Sequence, residues 1–104
     1  MDVRALRYFV QVADNRSFSK GAVLLRICQP ALSRSVKRLE QDLGVQLFRR
    51  ARSSVEMTRS GRLLRRRAKD ILDQFHQIHD EIRAQVCPTS AIGSRAEINS
   101  TNVG

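Results

Sequence analysis

The sequence predicts a mainly helical fold, and three observations carry that prediction. Apolar residues recur at helical spacing in four separate segments. A residue with a side-chain oxygen (Asp2, Ser17 and Thr58) stands just before three of them, where an N-cap belongs. Only two short runs, "VQLF" (45–48) and "SVEM" (54–57), have β-type composition. With 104 residues, one compact domain is the default.

In residues 2–14, Leu6, Phe9, Val10 and Ala13 fall at i, i+3, i+4 and i+7, which is one face of a helix. Asp2 is its N-cap, and Asn15 and Arg16 break it. Ser17 caps a second, short helix from Phe18 to about Arg26, with Ala22 and Leu25 facing inward. Gly21 inside that helix costs roughly 1 kcal/mol against Ala, which close packing on the next helix would offset.

The third helix lies in "CQPALSRSVKRLEQDLG" (28–44). Leu32, Val36, Leu39 and Leu43 are spaced 4, 3 and 4, forming one narrow apolar stripe. At about 100° per residue, Pro30, Arg34, Lys37 and Gln41 lie on the opposite side. Pro30 suits a first turn, where its missing N–H is not needed, and Gly44 suits the C-terminal cap. The two β-type runs then flank the polar tip "RRARS" (49–53), the pattern of a small hairpin.

Thr58 caps a fourth helix of about 28 residues, or about 42 Å, with Gly61 tolerated in its first turn. Leu64, Ala68, Ile71, Phe75, Ile78 and Ile82 are spaced 4, 3, 4, 3 and 4. That is a heptad seam, which either folds back on the domain's own core or meets a partner helix; a partner is the expectation, because so long a helix overshoots so small a domain. Pro88 ends the helix, and residues 88–104 are polar and without periodicity, a tail or a linker cut short.

Three helices, a hairpin and a long helix make a winged helix-turn-helix over residues 1–58, a linker and dimerisation helix over 59–87, and the tail. In this arrangement the third helix enters the DNA major groove. Its opening turns carry the groups for that task. Arg34 can fork onto guanine, Gln29 onto adenine, Ser33 can serve either, and Pro30 can meet a thymine methyl.

The charge agrees. The net charge is +9, and 16 of the 19 basic residues are Arg, whose planar fork fits phosphate and guanine edges. Residues 1–69 hold 17 Lys and Arg against 5 Asp and Glu; residues 70–104 hold 2 against 5. Lys37, Arg50 and Arg52, with the hydroxyl of Ser17, are the expected backbone and wing contacts.

Other chemistry is not expected. Cys28 and Cys87 form no close-spaced framework, and Cys28 reads as a small buried or capping residue rather than a redox switch. His76 and His79, beside Asp80, read as solvated, so no metal is assigned. Ser33 and Lys37, at i and i+4, lack a third group and an oxyanion site, so no enzyme activity and no cofactor are expected. No apolar run exceeds four residues, so no signal peptide or membrane span is expected, and the chain reads as soluble and intracellular.

The motifs "LRYFVQVADNRSFSKGA", "CQPALSRSVKRLEQDLGVQLFRR" and "MTRSG" resemble the N-terminal DNA-binding domain and linker helix of LysR-type bacterial transcriptional regulators, over residues 1 to about 87. The resemblance implies a homodimer whose linker helices pair antiparallel, and an interrupted palindromic site in double-stranded DNA. Gln29, Pro30, Ser33 and Arg34 match the family's base contacts, and Arg50 matches its usual Arg after the "LF" pair. Cys28 stands where the family usually has Ser, a poorer cap by about 1 kcal/mol. Arg49 stands where an acid is common, and Ser53 stands where the family often has Arg, with Arg52 one residue earlier. The family continues into a ligand-sensing domain whose opening strand nothing after Pro88 resembles, so no small-molecule effector is expected for this chain. Two other readings compete: a basic protein that coats nucleic acid without sequence preference, and an interaction protein that pairs with a full-length relative.

Overall fold

The computed structural model describes residues 1–86. The chain divides into two units, Met1–Leu72 and Asp73–Gly104. Its elements are α1 (Val3–Asn15), α2 (Phe18–Leu25), α3 (Gln29–Leu43), β1 (Phe48–Arg50), β2 (Val55–Met57) and α4 (Arg59–Val86). The winged helix-turn-helix order expected from the sequence is therefore present. Cys87, Pro88 and the tail lie outside the described residues.

Local chemistry sets the helix ends. The Asp2 carboxylate accepts from the Ala5 N–H at 2.8 Å, and the Ser17 hydroxyl accepts from the Lys20 N–H at 3.0 Å. The Thr58 hydroxyl accepts from the Gly61 N–H at 3.1 Å and donates to the Gln46 carbonyl at 2.6 Å. Gly44 closes α3 at φ 72°, a conformation glycine adopts without steric cost. Arginines occupy the same left-handed position after α1 and α2: Arg16 at φ 52° and Arg26 at φ 60°.

Burial of the apolar stripes holds the first unit together. Phe9, Val12, Leu32, Leu39 and Leu47 are almost wholly withdrawn from solvent, and Val36 joins them. Phe48 stacks against Phe9 (ring centroids 5.1 Å) and meets Phe18 edge-on (5.8 Å), so the first residue of the wing is anchored in the helical core.

Several expectations are corrected. Leu43, placed in the α3 stripe, is 40% exposed, because it is the last residue of the helix and has passed the packed helices. Cys28 is exposed and makes no side-chain cap bond; its carbonyl, not its thiol, accepts from Ala31 and Leu32. The first strand starts three residues later than its β-type run. Glu40 is the reason: its carboxylate accepts from the N–H groups of Leu47 (2.7 Å) and Phe48 (3.3 Å), and its carbonyl accepts from Gly44 and Val45. Residues 44–47 are thus held to the end of α3. Arg49 and Arg50 consequently lie in β1, opposite Glu56 and Val55, and not in the tip.

The first compact unit, Met1–Leu72, takes in the start of α4 as well as the winged helix-turn-helix. Gly61, Ala68 and Leu72 of α4 are buried in it. Gly61 is required there and not merely tolerated. A Cβ at that position would overlap the Leu47 carbonyl oxygen. At Gly21 the nearest atom to an added Cβ, Leu32 Cδ2, is at 3.4 Å, an ordinary contact.

Candidate nucleic-acid interface

Helix α3 separates its two jobs by face. Leu32, Val36 and Leu39 are buried, whereas Gln29, Pro30, Arg34, Lys37, Arg38 and Gln41 are exposed and Ser33 is half-buried. Stepping about 100° per residue from Gln29 puts Ser33, Lys37, Pro30, Gln41 and Arg34 within one arc of about 140°, with the core stripe adjoining its Gln29 end and facing away from Arg34 and Gln41. The four base-contact candidates therefore share one open face. Arg34 also borders a groove of about 330 Å³ between the start of α1 and α3, which Arg4, Tyr8 and Arg38 help line.

The first unit carries its positive charge largely unpaired. Among the described residues, ion pairs join only the Met1 amino group to Asp42, and Arg65 and Lys69 to Asp14. Arg34, Lys37, Arg50 and Arg52 are exposed and have no carboxylate partner there. Cations left in water at no desolvation cost are suited to meet phosphate. The Arg65–Arg67 run splits: Arg65 is engaged by Asp14 at 2.7 Å, while Arg66 and Arg67 are exposed. Burial alone would raise the Asp14 pKa. Hydrogen bonds from Arg65 and Lys69, reinforced by their charges, outweigh burial and hold the carboxyl below its ordinary value.

The wing is tied to the helices on both sides. Arg50 pairs with Val55 across the hairpin, and the Val55 N–H donates to the Arg16 carbonyl at 3.2 Å. Arg16, Ser17 and Arg50 are therefore neighbours through Val55; Arg16 lies within the motif "LRYFVQVADNRSFSKGA", which gives it no role beyond breaking α1. The acceptor side of the Ser17 hydroxyl is used in capping α2, which leaves its O–H as the group available to a phosphate. Ser19 was likewise not singled out: its hydroxyl donates to Gln29 Oε1 at 3.0 Å.

The seam on α4 is divided. Ala68 is fully buried and Leu64 packs partly against the core, so Ala68 cannot present a surface to a partner helix. Ile71 (47%), Phe75 (46%), Ile78 (60%) and Ile82 (55%) are exposed, and so is Val86, one turn beyond Ile82. No described helix is long and apolar enough to cross a membrane, and no group of three metal-ligating side chains occurs among the described residues.

Comparison with known proteins points one way. Residues 3–62 match the model of the bacterial regulatory helix-turn-helix protein, lysR family. The HTH-type transcriptional regulator BsdA of Bacillus subtilis (strain 168) is 39% identical over 98 residues, 90% of this chain and 34% of that protein. The HTH-type transcriptional regulator BenM of Acinetobacter baylyi is 41% identical over 78 residues, 75% of this chain and 26% of that protein. The chain thus spans about a third or less of these relatives. Among solved structures, the BenM_DBD/benA site 1 DNA complex superimposes with a TM-score of 0.76 at 38% identity, covering 80% of this chain and 96% of that one. The CbnR_DBD–DNA complex does so with 0.76 at 34%, covering 83% and 99%. The family match covers more than half of the residues, and the same elements recur in the solved domains, so the chain belongs to the LysR family of bacterial helix-turn-helix regulators.

Proposed function

We propose that this chain binds double-stranded DNA sequence-specifically as a homodimer and thereby regulates transcription in the bacterial cytoplasm. The observation that carries the reading is the open face of α3, where Gln29, Pro30, Ser33 and Arg34 stand together on a helix seated by a buried stripe. Relatives of the same fold in complex with DNA support it. Base contacts by these four residues supply specificity. Lys37, Arg50 and Arg52, with the Ser17 hydroxyl, supply phosphate contacts and much of the affinity. The exposed residues Ile71, Phe75, Ile78 and Ile82 form the dimer contact, and a two-fold dimer reads an interrupted palindrome.

The test is selection from random DNA duplexes at near-physiological salt, with the mass of the protein measured by light scattering. A dimer enriching an interrupted palindrome is the expected result. Affinity that vanishes with salt, with no enriched sequence, would overturn the reading in favour of backbone binding alone. Arg34→Ala should flatten preference at its base pair, a bidentate contact being worth about 1–3 kcal/mol of discrimination. Lys37→Ala should weaken all duplexes alike and lower the salt slope by about one.

A further inference from the structure

Gln29 opens α3, and its side chain is already engaged. Ser19, in the first turn of α2, donates its hydroxyl to Gln29 Oε1 at 3.0 Å across ten residues of chain. Among the described residues this is the only side-chain hydrogen bond between α2 and α3. Neither partner is buried, so the bond adds little to a core that is already closed. Its effect falls on the geometry of Gln29. An exposed glutamine samples many rotamers, and a base contact has to freeze them at an entropic cost. The Ser19 hydroxyl selects one orientation before DNA arrives. It takes one of the two acceptor sites on Oε1, leaving the second acceptor site for the N6 amino group of an adenine and an N–H donor for its N7, the two groups that adenine presents in the major groove.

We propose that Ser19 is a specificity-positioning residue, which presets the Gln29 carboxamide for a base edge and acts only through Gln29. The inference rests on the DNA-binding reading above. It differs from a direct phosphate contact by Ser19, which would add affinity on every sequence and would not depend on residue 29.

The experiment is a double-mutant cycle on the duplex enriched by the wild-type chain, and on duplexes altered at the base pair where Gln29→Ala flattens preference. Ser19→Ala should weaken binding to the enriched duplex by about 3–10-fold, the size expected from one side chain losing its order. It should flatten preference at that base pair alone, with the slope of affinity against salt unchanged, because Ser19 neutralises no phosphate. In the Gln29→Ala background Ser19→Ala should change nothing, and Ser19→Thr, which keeps a hydroxyl, should restore the preference. Thermal unfolding of Ser19→Ala should match wild type. An unchanged preference in Ser19→Ala, or an equal loss with and without Gln29, would overturn the inference while leaving the DNA-binding reading intact. Failure of the wild-type chain to enrich any sequence would overturn both.

Discussion

Replacing Gly61 by Ala should be the most damaging single-methyl change in the first unit. The added Cβ would overlap the Leu47 carbonyl oxygen and lie 3.2 Å from both the Leu47 carbonyl carbon and Met57 Cβ. Neither side of this contact can yield cheaply. Leu47 is fully buried, its N–H is held by Glu40 at 2.7 Å, and its carbonyl accepts from the Thr58 N–H at 2.9 Å. Moving α4 away strains the Thr58 cap and that backbone bond, each worth about 1 kcal/mol. Moving Leu47 overpacks the core at a cost of about 1–3 kcal/mol. Alanine's better helix propensity returns about 1 kcal/mol. The overlap is too deep for either side to relieve alone, so both costs are incurred; the net expectation is a loss of about 2–4 kcal/mol, and for a domain of this size each kcal/mol lowers Tm by about 4–8 °C. Gly21→Ala is the internal control: its new methyl meets Leu32 Cδ2 at 3.4 Å, so stability should hold or rise by up to about 1 kcal/mol. Thermal and urea unfolding followed by circular dichroism would compare the two. Equal stability of Gly61→Ala and Gly21→Ala would refute the argument that backbone proximity, not helix propensity, keeps glycine at residue 61.

Three further outcomes are expected. The folded-state pKa of Asp14 lies below its unfolded value, so its stabilisation is complete above the unfolded pKa and is lost as pH falls through the folded one. Asp14→Asn should therefore flatten the acid limb of a stability–pH curve, and at pH 7 it should cost a few tenths to about 1 kcal/mol, as exposed pairs do. Ile78→Glu places a charge on the exposed α4 seam and should convert a dimer to a monomer by light scattering without moving the unfolding transition of the first unit; a persistent dimer would exclude this surface. Arg16→Gly relieves a left-handed arginine and should stabilise the fold by about 0.5–1 kcal/mol. It should also lower the slope of log affinity against log salt by about 0.9 if the Arg16 side chain, exposed on a residue whose carbonyl is bonded to the wing, meets one phosphate; an unchanged slope would dismiss that contact.

What could be read from the sequence was what local spacing determines. The caps Asp2, Ser17 and Thr58, the buried Leu32–Val36–Leu39 stripe and the turn at Gly44 all follow from helical period and backbone preference. The exposure of Pro30, Arg34, Lys37 and Gln41 followed too, because a face opposite a buried stripe is exposed, whereas Gln29 and Ser33 lie at the edge of that stripe. What escaped was set by distant partners. β-type composition at residues 45–48 could not reveal that the Glu40 carboxylate takes the N–H groups of Leu47 and Phe48. Heptad spacing could not separate Ala68, which the fold buries, from Ile78, which it leaves in water. Cys28 sits at an N-cap by position, yet its thiol neither caps nor hides. Gly61 looked permissible in a first turn because nothing local announces the Leu47 carbonyl. The Ser19–Gln29 bond joins two residues with no periodic relation.

The division of α3 into two faces has a consequence for how such a reader can evolve. Gln29, Pro30 and Arg34 contribute no side chain to the core, and Ser33 contributes only part of one. Exchanging them changes few buried contacts, and exposed substitutions of this kind typically alter stability by less than about 0.5 kcal/mol. If the proposed base contacts hold, operator preference can therefore drift among gene copies without each step passing through an unstable intermediate, while Leu32, Val36 and Leu39 keep the scaffold constant. Duplicated chains of this architecture are free to part company in the DNA they address before they diverge in shape.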